Sequence, residues 1–229
     1  MARIYRLSKA GLKLLYKIRH HRGHGIHSPF VFDLVTKVIE EKTAYHAYED
    51  ISFVLESMHD SHYRLSKYNK LIFRLSNYFE SKHILEIGSG YGINSLCLSA
   101  PSANITCTCV ETSKRKYLPA QNLYEKWDRR IVLYTGKQLP VIEDKQDCIL
   151  IDLNNFNYFT QTDLNQYIVS MSYEKTMIIV KGIRTNKRNH MLWKSIISIE
   201  ARTAVLDLFN TGIIFFNPEL YRWSYKISF

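Results

Sequence analysis

Ile84-Leu85-Glu86-Ile87-Gly88-Ser89-Gly90-Tyr91-Gly92 is an apolar run that ends in three closely spaced glycines. The apolar run is typical of a buried strand, and Asn94 to Ala100 after the glycines has the pattern of a helix. Glycines let a backbone turn with positive φ and let a ligand approach closely, while the start of a helix offers unpaired N–H groups. We therefore predict a strand, turn and helix that bind the edge of a cofactor; a tight turn without a ligand is the alternative.

The spacing of these glycines separates one cofactor class from another. They follow a GxGxG pattern, with Ile93 where a GxGxxG dinucleotide fingerprint has its third glycine, and Glu86 lies just before the first glycine. An anion-binding turn suits a pyrophosphate, whereas a preceding carboxylate suits a cation such as the amino-acid end of S-adenosylmethionine (SAM). This disfavours NAD. The predicted cofactor-binding residues of the turn are Glu86, Gly88, Ser89, Gly90, Tyr91 and Gly92.

Short apolar runs separated by helical patterns follow Ser81. The runs are His83 to Ile87, Ile105 to Val110, Ile131 to Tyr134, Cys148 to Ile151, Met177 to Val180, Ala204 to Phe209 and Ile213 to Phe216. Helical patterns in most of the early gaps predict βαβ units and a largely parallel sheet. Asn210-Thr211-Gly212 is too short for a parallel crossover, so the last two strands must form an antiparallel hairpin. The predicted fold is α/β, with a Rossmann-like sheet that is mostly parallel, a C-terminal hairpin and N-terminal helices.

Two further acidic residues end predicted strands. Glu111 follows Glu86 by about 25 residues, where a carboxylate can accept both hydroxyls of a ribose; a helix-initiating acid is the alternative. Asp152 ends the fourth strand, at the edge where open α/β sheets bind ligands. It could orient a nucleophile, bind a metal or cap the next helix. Gly136, after the third strand, is either a neighbour of the adenine or an ordinary turn glycine.

These residues resemble the class I SAM-dependent methyltransferases over about residues 68–229. Three motifs of that family have a match in this sequence: the first is the segment from Glu86 to Gly92, the second is Glu111, and the fourth is the strand with Asp147 and Asp152. The resemblance implies SAM as the cofactor and methyl transfer as the reaction, and it does not identify the acceptor.

A closer resemblance is to uncharacterised methyltransferase-like proteins of the Bacteroidetes. His24-Gly25-Ile26-His27-Ser28-Pro29-Phe30-Val31-Phe32-Asp33-Leu34 is similar to their N-terminal signature, and Leu206 to Phe216 is similar to their closing hairpin. This extends the resemblance to almost the whole chain.

One position departs from the pattern of related enzymes. Metal-dependent O-methyltransferases carry an acidic residue or pair at the end of the fifth strand, whereas here that strand runs into Lys181-Gly182. Hard cations require oxygen ligands, and a lysine repels them, so we expect no metal site. Asp152 and Lys181 are the predicted catalytic residues, with Asp152 as the base and the Lys181 ammonium paired with it. The reaction is then metal-free, or the activity has been lost.

The N-terminal part is basic. The formal net charge is +10, and every charged residue before the first acidic residue, Asp33, is basic. The pattern of Ile4 to Ile18 predicts an amphipathic helix. A second helix is predicted to begin at Pro29 with Ser28 as its cap, and a third to cover Tyr68 to Phe79.

We predict that residues 1–67 form a helical segment, a lid over the carboxyl edge of the sheet or a partner surface, and that residues 68–229 form the SAM-binding domain. RNA or another polyanion could bind the basic residues; a solvated helix face is the alternative.

Composition limits the cellular setting. No run approaches the ~20 apolar residues of a membrane-spanning helix, and the N-terminus lacks the pattern of a signal peptide, so we expect a cytoplasmic protein. The four cysteines have no CxxC spacing, and we predict that they are buried free thiols: Cys97, Cys107, Cys109 and Cys148.

The leading prediction is methyl transfer from SAM to an oxygen or nitrogen nucleophile. One alternative is an RNA methyltransferase, favoured by the charge but disfavoured by Asn210, which stands where the catalytic tetrad of RNA ribose methyltransferases has glutamate. The Pro-Pro signature of many N-methylating enzymes is absent after Asp152 as well. The other alternative is a SAM-binding interaction module without catalysis, motivated by Lys181-Gly182. The oligomeric state is not predicted.

Overall fold

The structure, a computed structural model, describes residues 11, 14, 16, 27–136, 138–155 and 161–229. Most of the predicted helix from Ile4 to Ile18, and the basic residues on it, lie outside the described residues. So does the start of the N-terminal signature, residues 24–26.

An eight-stranded sheet forms the centre of the part of the chain that the structure describes. Its strands are β1 (His83–Ile87), β2 (Thr106–Val110), β3 (Arg130–Tyr134), β4 (Cys148–Asp152), β5 (Met177–Lys181), β6 (Val205–Asp207), β7 (Thr211–Phe215) and β8 (Ser224–Lys226). They lie in the order β3-β2-β1-β4-β5-β7-β6-β8. Strands β1 to β5 are parallel, and β7 is antiparallel to both β5 and β6. The predicted parallel sheet and closing hairpin are confirmed; β8, parallel to β6, was not predicted.

Seven helices flank the strands in the described part of the chain. They are α1 (Pro29–Leu34), which continues as a π-helical turn over Val35–Ile39, then α2 (His46–Glu56), α3 (Lys67–Tyr78), α4 (Ile93–Ser99), α5 (Lys114–Tyr124), α6 (Gln161–Met171) and α7 (Lys187–Ile196). Helix α1 begins as predicted, with Pro29 in its first turn and the Val31 N–H donating to the Ser28 hydroxyl at 3.4 Å. A capping box between Ser66 and Asn69 begins α3.

The core lies on both faces of the sheet, because side chains alternate along each strand. Ile84 of β1 belongs to an apolar cluster that also contains side chains of α1, α2, α3 and α4, whereas Leu85 belongs to a cluster with side chains of α6 and α7. Described N-terminal residues such as Leu34 and Ile51 therefore share the core of the sheet. The domain boundary at residue 67 and the lid over the carboxyl edge stay predictions.

The cysteines match their prediction: Cys97, Cys107, Cys109 and Cys148 are free and buried. None of the described helices is both long enough and apolar enough to cross a membrane.

Candidate functional site

The sheet register brings the predicted site residues to one edge. Parallel pairing places Ile87 beside Val110 on one side and beside Ile151 on the other, so the glycine turn after β1 meets the ends of β2 and β4. Asp152 is in turn paired in register with Lys181 of β5. Glu111, the glycine turn, Asp152 and Lys181 therefore lie along the carboxyl edge, where open α/β sheets bind ligands.

The glycine turn has a left-handed backbone. Gly88, Gly90 and Gly92 have φ angles of 83°, 61° and 85°, which other residues adopt only with strain. A Cβ at Gly88 would lie 3.0 Å from Asp152 O, and a Cβ at Gly90 would lie 2.7 Å from Asn155 Nδ2. Backbone conformation thus favours glycine at all three positions, and close packing against the backbone of Asp152 adds a second reason at Gly88.

The N–H groups of the turn are bonded within the protein. Those of Gly88 and Ser89 donate to Val110 O at 2.8 and 3.2 Å, and that of Gly92 donates to Ser89 O at 3.1 Å. The Gly90 N–H donates to Glu111 Oε2 at 2.8 Å. These groups are therefore not free to cradle a phosphate.

Asn155 ties the turn to β4 and α5. Its Nδ2 donates to Gly88 O at 3.1 Å and to Asp152 Oδ2 at 3.3 Å, and its Oδ1 accepts from Lys116 Nζ at 2.7 Å. Sequence reasoning missed Asn155 and Lys116 as site residues. The position of Asn155, three residues after a strand-end aspartate, is the one signal in the sequence that could have pointed to it.

Glu86 is a fully buried carboxylate. Its Oε2 accepts from the Ser95 hydroxyl at 2.5 Å, whereas its Oε1 has no hydrogen-bond partner among the described residues. Burial raises the pKa of Glu86 to about 7, although the Ser95 and Asn94 side chains act to lower it. An unpartnered carboxylate oxygen in a buried position favours a ligand that donates a hydrogen bond.

Asp152 and Lys181 form the expected ion pair. Lys181 Nζ lies 2.9 Å from Asp152 Oδ2, and Asp152 is buried while the lysine side chain is partly exposed. Asp152 Oδ1 also accepts from the Asn154 N–H at 3.0 Å, so this carboxylate shapes the loop after β4 as well. Lys181 Nζ lies 4.8 Å from the centroid of the Tyr68 ring. Tyr68 is thus a neighbour of the ion pair, and sequence reasoning missed it as it missed Asn155 and Lys116.

The remaining predicted cofactor residues differ in their surroundings. Glu111 is buried, and its second oxygen accepts from the Ser113 N–H at 2.9 Å. Ser89 is buried, and the ring of Tyr91 stacks on His62 with centroids 5.4 Å apart. A Cβ at Gly136 would meet no atom within 4 Å, so packing does not require glycine there.

A cavity of about 1250 Å³ lies along α2 and α3. The residues that line it include Tyr48 of α2, Lys67 and Arg74 of α3, Phe209 of the hairpin and Phe229. None of the predicted site residues lines it; Lys67 directly precedes Tyr68, whose ring lies near Lys181.

One group of possible metal ligands occurs in the part of the chain that the structure describes. Single ligand atoms of Glu86, Cys107 and Cys109 lie within 4.8 Å of one another. A hydrogen bond with Cys109, together with burial, raises the pKa of the Cys107 thiol well above its usual range. A thiol must lose its proton to bind a metal, so the Cys107 thiol is better suited to core packing.

The sequence matches no protein-family model, and no curated protein matches it. The fold, in contrast, is similar to solved structures. A candidate O-methyltransferase from Klebsiella pneumoniae matches with a TM-score of 0.58 and 16% identity over 80% of this chain and 94% of that chain. A methyltransferase from Podospora anserina bound to S-adenosylhomocysteine (SAH) matches with a TM-score of 0.56 and 13% identity over 83% of this chain and 97% of that chain. An O-methyltransferase from Bacillus cereus in complex with SAH matches with a TM-score of 0.52 and 18% identity over 81% of this chain and 96% of that chain.

At these identities the similarity establishes the architecture. The chain has the Rossmann-like fold of the class I methyltransferases. The predicted closeness to the Bacteroidetes proteins stays a prediction.

Proposed function

We propose that the chain is a SAM-dependent methyltransferase that acts on an oxygen or nitrogen nucleophile without a divalent metal. The observation that carries the proposal is the buried Glu86 carboxylate, with its unpartnered Oε1, beside a left-handed glycine turn in a methyltransferase fold. An ammonium group suits this oxygen best, because it donates a hydrogen bond and offsets the cost of a buried negative charge.

The chemistry of the site fits SAM better than a dinucleotide. Its carboxylates, Glu86, Glu111 and Asp152, suit a cationic ligand, and the N–H groups of Gly88, Ser89, Gly90 and Gly92 are already bonded to protein oxygens. In the proposed complex Glu86 binds the amine, the glycine turn lies along the amino-acid end, and Glu111 receives ribose hydroxyls through its remaining lone pairs. Bound SAM supplies a methyl group that its sulfonium has already activated.

The protein then has to align the acceptor and remove its proton. Asp152 is the candidate base, and its ion pair with Lys181 holds the carboxylate at the end of β4. No divalent cation is required in this arrangement, because Lys181 supplies the positive charge next to Asp152.

Calorimetry of the full chain with SAH tests the proposal directly. We expect one SAH per chain and strongly weakened binding in Glu86→Ala; a wild-type chain that does not bind SAH overturns the proposal. A methyl-transfer assay with labelled SAM, over a panel of oxygen and nitrogen acceptors that includes RNA, then separates the candidate functions. SAH binding without transfer to any acceptor would favour the alternative of a non-catalytic SAM-binding module.

A further inference from the structure

The hydroxyl of Tyr68 is buried without a partner. Tyr68 lies in the first turn of α3, and its hydroxyl oxygen makes no hydrogen bond to any described residue. Its ring lies under Lys181, whose Nζ is 4.8 Å from the ring centroid. A buried hydroxyl without a partner is unfavourable, so such a group in a native site calls for an explanation.

The first turn of α3 is held firmly in place. Ser66 and Asn69 form the capping box, and Asn69 Nδ2 donates to Asn94 Oδ1 at 2.8 Å. Asn94 belongs to the first turn of α4, which directly follows Gly92. The unpartnered hydroxyl is therefore fixed relative to the glycine turn and is not a free surface side chain.

Two acidic side chains, Asp152 and Glu86, and the Lys181 ammonium surround Tyr68. Burial, with the charges of Asp152 and Glu86, raises the pKa of Tyr68 well above its usual range, so the phenol is neutral. Lys181 is already paired with Asp152. Glu86 Oε1 is a second buried oxygen without a partner in the described site. Two buried oxygens without a partner suit one cationic group with several N–H donors.

We infer that the Tyr68 hydroxyl oxygen accepts a hydrogen bond from the ammonium group at the amino-acid end of the bound cofactor, alongside Glu86 Oε1. This inference rests on the proposed function, and it adds to that function a positioning residue from the segment before β1. An ammonium has three donors, which is enough for both oxygens.

The Tyr68→Phe variant removes the hydroxyl and keeps the ring. Calorimetry should show SAH binding weakened about tenfold or more, as expected for the loss of a hydrogen bond to a charged group. Binding of 5′-methylthioadenosine, which lacks the amino-acid end, should be unchanged. Tyr63→Phe is the matched control, because Tyr63 also has a buried hydroxyl with no partner among the described residues. Its ring, which contacts Tyr91, is retained, and SAH affinity should not change.

The outcomes distinguish failure of the proposed function from failure of the role of Tyr68. A wild-type chain that fails to bind SAH overturns the proposed function and this inference with it. Wild-type binding with unchanged SAH affinity in Tyr68→Phe overturns the inference alone, as do equal losses for SAH and 5′-methylthioadenosine. Thermal unfolding of the variant checks its fold. If Tyr68→Phe does not fold, Tyr68→Leu is the second variant: it also lacks the ring, so a loss larger for SAH than for 5′-methylthioadenosine supports the inference and equal losses overturn it.

Discussion

The side chain of Asn155 lies directly against the backbone of Gly88. Asn155 Nδ2 donates to Gly88 O at 3.1 Å, and a Cβ at Gly88 would come within 3.1 Å of Asn155 Cβ. The residues after β4 thus close one side of the glycine turn. A ligand that enters the turn has to fit beside Asn155 or displace its flexible amide. The carbonyl oxygen of Asp152 limits the same space and, as a backbone atom, cannot move aside as easily.

Gly88→Val should destabilise the protein and abolish SAH binding. Valine would have to adopt a φ of 83° and would meet Asp152 O at 3.0 Å, so we expect a loss of about 2 kcal/mol or more in the free energy of unfolding. Urea denaturation measures the loss, and calorimetry at a temperature where the variant is folded measures binding. Gly136→Ala is the stability control, since its Cβ meets no atom within 4 Å. A folded Gly88→Val chain with wild-type SAH affinity would contradict the proposed cofactor position.

SAH binding should depend on pH through Glu86. The pKa of Glu86 in the free protein is raised to about 7, and an ammonium ligand favours the ionised carboxylate. Affinity should therefore weaken about tenfold per pH unit as the pH falls below 7 and level off above it. Calorimetry at pH 6 in two buffers with different ionisation enthalpies should detect release of nearly one proton. Glu86→Gln should show neither the proton release nor the pH dependence; a wild-type affinity that is flat from pH 5 to 8 would be inconsistent with this role.

The helices and strands that were predictable from sequence are those whose pattern lies within a few consecutive residues. The apolar run before Gly88 predicts a strand, and the short link after β6 predicts a hairpin; both are present. The bounds of the link were wrong, because Thr211 and Gly212 belong to β7 and the link is Leu208 to Asn210. Strand β8 was missed because it has three residues without an apolar run.

The site residues that were missed depend on long-range contacts. Lys116 reaches Asn155 across 39 positions, and Tyr68 meets Lys181 only after α3 packs beside the sheet. No local pattern reports such contacts. The turn around Glu86 was predictable because its glycines and its acid lie within seven consecutive residues.

Glu86 should also make stability fall with rising pH. Its pKa is about 7 in the folded chain against a usual 4.5, so between these values the folded state holds a proton that the unfolded state has lost. Stability is therefore lost as the pH rises through this window, by about 3 kcal/mol for this one group. Glu86→Gln removes the titration. Its free energy of unfolding, minus that of the wild type, should increase from pH 4.5 to 7.5 in urea denaturation; a difference that stays constant would show that Glu86 titrates normally.

The last prediction is that methyl transfer, once an acceptor is found, is independent of divalent metal. Mg²⁺ usually needs several oxygen ligands, and Asp152 offers a carboxylate whose Oδ2 is already paired with Lys181 at 2.9 Å. Activity should survive a chelator at a concentration that removes added magnesium. Loss of activity in chelator, with recovery on adding magnesium, would show that a metal is bound elsewhere.

Lys181→Asp provides the sharper form of this test. The substitution replaces the ion pair by two neighbouring carboxylates, so without metal their repulsion should lower the melting temperature by several degrees. Magnesium, which the two carboxylates could bind jointly, should restore part of that loss in the variant and leave the wild type unchanged. Lys181→Met is the control, because it removes the charge without adding a ligand and should not respond to magnesium. Equal responses of wild type and Lys181→Asp to magnesium would contradict the position of Lys181 as the residue that excludes a metal from Asp152.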